Sequence, residues 1–143
     1  MFRVLLLFSI VLHVNASELF KESRYIYAID RVLHYEGKIN FGEEKVTILY
    51  TSPKQESIIY LKEDENRQKK VLFLILDSIY NDDMDSLEGY FKVEKISSKT
   101  LLVPLGTLGD YIKNVEFKKS YKELDYLMIK MQNEDWIKIE TIR

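Results

Sequence analysis

The chain has 143 residues, with 21 basic and 23 acidic side chains, a formal net charge of −2, 46% hydrophobic residues and no cysteine. That length suits one domain around one core, and the interspersed lysines and glutamates lack the basic excess of a nucleic-acid-binding face. Without cysteine there is no disulfide framework, no thiolate nucleophile, no Cys-ligated metal and no lipidated cysteine.

Met1 to Ala16 has the three parts of an export signal. Arg3 supplies a positive start, Val4 to Leu12 an apolar stretch, and Val14-Asn15-Ala16 small residues at a cleavage spacing. The apolar stretch is shorter than the roughly 20 residues that cross a bilayer, so the segment is expected to be cleaved. Residues 17–143 are then expected to form a single domain, a soluble monomer in the periplasm of a Gram-negative bacterium.

In chain order, Arg24 to Ile29 is aromatic-rich and predicts a strand. Leu33 to Phe41 alternates, with Leu33, Tyr35, Ile39 and Phe41 on one face and His34, Glu36, Lys38 and Asn40 on the other. Gly42-Glu43-Glu44 turns into a strand from Val46 to Tyr50, and Thr51-Ser52-Pro53-Lys54 turns into Ser57 to Leu61. The period then changes. Leu72, Ile75, Leu76 and Ile79 recur at helical spacing, and the length of Lys70 to Tyr80 favours a helix over a buried strand. Asp85-Ser86-Leu87-Glu88 has the form of a capping box, with Asp85 as N-cap of a short helix that Gly89 ends. Five further strands are predicted: Tyr90 to Ile96, Leu101 to Val103, Tyr111 to Phe117, Leu124 to Met131 and Trp136 to Ile142.

The expected fold is therefore mainly β with one or two helices, an α+β domain. A strongly curved antiparallel sheet or incomplete β-barrel, with the helix on its concave side, would use two features: Leu124 to Met131 is largely apolar on both faces, and the helix is apolar all round. An ordinary packed core would use them too. If a cavity exists, the faces assign Ile48, Tyr50, Ile58, Tyr60, Leu72, Ile75, Ile79, Leu127 and Ile129 as its hydrophobic lining.

No catalytic constellation emerges, and neither an enzyme, a metal site nor a cofactor is expected. His34 is the one histidine beyond the export segment and falls on a polar face. Asn81-Asp82-Asp83-Met84-Asp85 begins like a calcium loop, but Ser86 replaces the required glycine and Lys92 the bidentate glutamate. Glu63-Asp64-Glu65, set among lysines and an arginine, fits an exposed connection.

Several segments together resemble the periplasmic LolA-type outer-membrane lipoprotein carriers. They are Tyr35-Glu36-Gly37-Lys38-Ile39-Asn40-Phe41, the proline turn Thr51-Ser52-Pro53-Lys54, the helix end Ile79-Tyr80-Asn81-Asp82-Asp83, Leu87-Glu88-Gly89-Tyr90-Phe91-Lys92-Val93, and Leu101-Leu102-Val103-Pro104-Leu105. The resemblance implies an incomplete barrel closed by helices that binds lipoprotein acyl chains, taken from an inner-membrane donor transporter and passed to an outer-membrane acceptor. Arg24-Tyr25-Ile26-Tyr27 departs from the Phe-x-Gln often found in the first strand of such carriers, and no arginine near Pro53 matches the one that latches their lid. The alternative is a periplasmic interaction module: an inhibitor, an adaptor or a lipoprotein-sensing regulator.

Overall fold

The computed structural model describes residues 16–121 and 123–142. They form nine strands and one α-helix: β1 (Ala16–Ile26), β2 (Arg31–Phe41), β3 (Lys45–Ser52), β4 (Glu56–Leu61), α1 (Arg67–Tyr80), β5 (Phe91–Ile96), β6 (Lys99–Pro104), β7 (Ile112–Ser120), β8 (Glu123–Met131) and β9 (Trp136–Thr141). The strands make one open antiparallel sheet in the order β4-β3-β2-β1-β9-β8-β7-β6-β5. This is the mainly β, α+β class that the alternating pattern predicts, with the sheet not closed into a barrel.

The order has a consequence for the helix. β1 to β4 and β5 to β9 are two meanders joined at the centre by the β1–β9 ladder, so β4 and β5 are the two outer edges. The segment between them, which contains α1, is the connection from one edge to the other and has to pass over the sheet. It packs against β3 and β4 at one end, and its last turn faces residues of β1, β2, β8 and β9.

One face of the sheet is buried. Phe20, Ile39, Val46, Ile48, Tyr50, Leu102, Val115, Phe117, Leu127, Ile129 and Ile139 form a single core with Val71, Phe73, Ile75, Leu76 and Ile79 of α1. Alternation accounts for most of this, since residues two apart share a face. Bulges account for the rest. Between Lys118 and Lys119 the β7–β8 register shifts by one residue, which puts Leu124 on the same side as Leu127. A second shift, between Ile112 and Asn114, does the same for Ile112 and Val115. The two-faced apolar character of β8 is thus resolved by a bulge. Gly37 is required where it stands, because a Cβ there would run into the backbone of Leu49 and Tyr50.

The helix begins earlier than its apolar spacing suggests. Asn66 caps it, its side-chain oxygen accepting from the Lys69 amide at 3.2 Å, so the polar turn Arg67-Gln68-Lys69 is helical although it buries nothing. Buried positions occupy most of its circumference, since Val71, Ile75, Ser78 and Ile79 face one way and Phe73 and Leu76 another. Two other expectations are corrected, the end of β1 and the cap of the turn before β5. β1 ends at Ile26, and Tyr27–Ile29 is a 3₁₀ turn closed by Asp30 in the left-handed region. The N-cap of the 3₁₀ turn Asp85–Leu87 is Met84, which makes no side-chain cap bond; the carboxylate of Asp83 just before it accepts from the Ser86 amide at 3.3 Å, so Asp85 and Glu88 do not form the expected capping box. Ala16, the last residue assigned to the export segment, pairs with Phe41 as the first residue of β1; the rest of that segment lies outside the described residues.

Candidate binding site under the last helical turn

A small apolar pocket lies between the C-terminal turn of α1 and the middle of the sheet. Leu76, Ile79 and Tyr80 form one wall; Phe20, Ile39, Phe41, Leu124, Leu127 and Ile139 form the other, with Glu18, Lys119 and Thr141 also lining it. These residues converge because the chain's first and last strands are neighbours, which sets Phe20 of β1 beside Thr141 of β9. The enclosed space is about 20 Å³, room for about one water molecule and not for an alkyl chain.

Besides the buried side chains of Leu76 and Ile79, two specific contacts hold the helical turn against the sheet. The rings of Phe41 and Tyr80 stack with centroids 4.0 Å apart and planes 4° from parallel. Lys119 donates from Nζ to the Ile79 carbonyl at 2.7 Å and to the Asp82 carboxylate at 2.8 Å. A cation on the orphan carbonyls of a helix C-terminus satisfies an acceptor and opposes the negative end of the helix dipole. Lys119 is 11% exposed and Asp82 66%, so the pair is shielded from water at its lysine end only. Partial burial, together with the nearby Glu123 carboxylate, pushes the Glu18 carboxyl above its ordinary pKa, while Lys119 pulls it down.

The structure sets all the predicted strand residues on the core side. Ile48, Tyr50, Leu127 and Ile129 are buried, and Ile58 and Tyr60 half-buried, whereas their neighbours Ile59 and Leu61 face out. Of α1, Ile75 and Ile79 are buried and Leu72 is half-buried. Only Ile79 and Leu127 of the predicted set line the pocket; the others fill the core on either side. Phe20, Leu76, Tyr80 and Ile139 belong to the pocket and were not expected there. Alternation identifies their faces, but no local signal shows that β1 and β9 meet beneath the helix end.

At the other end of β1, the buried face carries a polar cluster. Glu22, 3% exposed, accepts from the Arg24 guanidinium and from the Tyr50 hydroxyl at 3.0 Å, and Arg24 donates to that hydroxyl at 2.9 Å. The guanidinium lies 4.2 Å from the centre of the Tyr35 ring, a cation–π contact. Burial works against the charge of Arg24, but the Glu22 carboxylate and the Tyr50 hydroxyl together outweigh it and raise the guanidinium pKa. Burial, reinforced by Glu22 and opposed by Arg24, holds the Tyr50 phenol well above its usual range. Every buried polar side-chain atom among the described residues has a partner, which makes this a satisfied network that orders β1 against β3.

The acidic run after α1 is spent locally. Asp82 pairs with Lys119, Asp83 accepts from Ser86, and the Asn81 side chain donates to the Asp77 carbonyl at 3.0 Å. Among the described residues no three His, Asp or Glu side chains gather as metal ligands do. No family model and no curated protein matches this chain.

Proposed function

We propose that this protein is an exported carrier of acyl chains, a divergent LolA-type lipoprotein carrier acting in the periplasm, and that the chain enters beneath the last turn of α1. In this reading the sheet curves around the helix as an incomplete barrel, with the helix on its concave side. The observation that carries the proposal is the pocket itself: an apolar seam where the helix end meets the sheet, closed by the buried Leu76 and Ile79, one ring stack and one lysine. Breaking the stack and the lysine contact and unseating Leu76 and Ile79 lets the turn lift without disturbing the ladder hydrogen bonds. Each methylene then buried contributes about 0.8 kcal/mol, so part of one acyl chain is held firmly with no specific polar contact. Nothing in this cycle calls for catalysis. A donor transporter and an acceptor would load and unload the pocket by competing for the same chain.

The closed, 20 Å³ state favours a second reading, an interaction module that works through its outer sheet face and takes up no ligand. Native mass spectrometry separates the two. The chain is isolated without detergent from the exported fraction of its host, then incubated with di- and triacylated peptides. Adducts with the mass of a lipid or an acylated peptide support the carrier; a bare protein mass after both treatments refutes it and leaves the interaction module.

A further inference from the structure

The two edges of the sheet differ in chemistry. β5 carries Lys92, Glu94 and Lys95 within its span of Phe91–Ile96, the kind of charge that discourages strand addition. β4 reads Glu56-Ser57-Ile58-Ile59-Tyr60-Leu61 and is followed by Lys62, with no charge in between. Ile59 and Leu61 are 47% and 45% exposed on the outer face, with Leu49 of β3, 40% exposed, diagonal to Ile59. The Lys62 amide donates to the Glu44 carbonyl at 2.9 Å, and antiparallel ladders alternate. The amides and carbonyls of Ser57, Ile59 and Leu61 therefore point away from β3, toward a side on which no described strand pairs.

We propose that β4 pairs with β4 of a second copy of this chain, antiparallel about a twofold axis at Ile59. Outward-pointing groups have to meet outward-pointing groups, so Ile59 faces Ile59 of the second copy, and Ser57 faces Leu61. Ile58 then faces Tyr60 on the core side, and Glu56 meets Lys62 at both ends. The neighbouring registers that also align the outward groups lose this match. One sets Glu56 opposite Tyr60, the other Lys62 opposite Ile58 and Ser57 opposite Glu63. Only the Ile59-centred register is both apolar in its middle and oppositely charged at its ends. It also brings Leu49, Ile59 and Leu61 of both copies into one outer patch. A single strand pair falls well short of the roughly 1,200 Å² of stable interfaces, so the association is weak, on the order of 0.1 mM.

Because the chain has no cysteine, the register can be read with single-cysteine variants. Facing residues across a hydrogen-bonded antiparallel pair have Cα atoms about 5.5 Å apart, within disulfide range. Ile59→Cys should cross-link to itself under mild oxidant; Ser57→Cys and Leu61→Cys should not do so alone but should cross-link when mixed. In sedimentation equilibrium, Glu56→Lys and Lys62→Glu should each weaken self-association at least tenfold. The double swap should restore it to within about threefold, and Lys95→Glu on the opposite edge should change nothing. A strictly monomeric chain up to millimolar concentration, a double swap as weak as the single variants, or Ile59→Cys cross-linking no faster than Ser57→Cys overturns the proposal.

Discussion

Tyr80→Ala should exchange stability for ligand affinity. The ring is half-buried and stacked on Phe41 at 4.0 Å. Full burial would make the truncation cost about 3–5 kcal/mol; at half burial, with the stack included, about 2 kcal/mol is expected. In a domain of this size that lowers Tm by roughly 6–10 °C. The space vacated adjoins the closed pocket and takes about four methylenes. They contribute about 3 kcal/mol in all, roughly a 200-fold gain in affinity for a fatty acid. Titration of a fluorescent fatty acid, alongside thermal melts, measures both effects. Tyr35→Ala is the control, since that ring lies under Arg24 and does not line the pocket. A Tm loss with no gain in affinity, or an equal gain in the control, refutes the assignment of the site.

Lys119→Met removes the cap on the Ile79 carbonyl and should cost about 1–2 kcal/mol. Amide exchange should accelerate in the last turn of α1, and unchanged exchange there would show that the lysine does not hold the turn. Glu22→Gln removes the carboxylate that adds to burial in raising the Tyr50 phenol. The Tyr50 resonance in tyrosine-labelled NMR spectra should therefore titrate at lower pH in the variant, with a stability loss of about 2 kcal/mol. Glu18 has its folded pKa raised, chiefly by burial, so its charged form is disfavoured in the native state. That penalty is present above the folded pKa and absent below the unfolded one. Glu18→Gln should therefore raise Tm at neutral pH, and the gain should shrink to nothing as pH falls below the ordinary glutamate range. A gain that persists in acid would mean that the charge is not its cause.

The strands were largely legible because alternation is a local property. Leu33 to Phe41 announces both its existence and its buried face, and the structure sets Ile39 in the core with Lys38 exposed. Misassignment came where local chemistry was ambiguous. Arg67-Gln68-Lys69 carries no apolar period, yet Asn66 makes it helical. Asp83 and Asp85 are both plausible caps, and only the backbone decides which carboxylate reaches the Ser86 amide. In Leu124 to Met131 a bulge changes which residues share a face, something no pattern of residue types displays.

The composition alone rules out disulfides and cysteine chemistry, and the periodicity alone points to a mainly β domain with one or two helices, because side-chain periodicity reports backbone conformation directly. Which residues meet across that domain is settled by pairings between distant parts of the chain. β1 lies beside β9, Lys119 reaches a carbonyl 40 residues earlier, and Glu22 accepts from a tyrosine 28 residues later. The pocket and the polar cluster are products of that topology. Each depends on which strands are neighbours in the sheet, and strand order is decided by the packing of the whole face beneath the helix, not by any segment of the sequence.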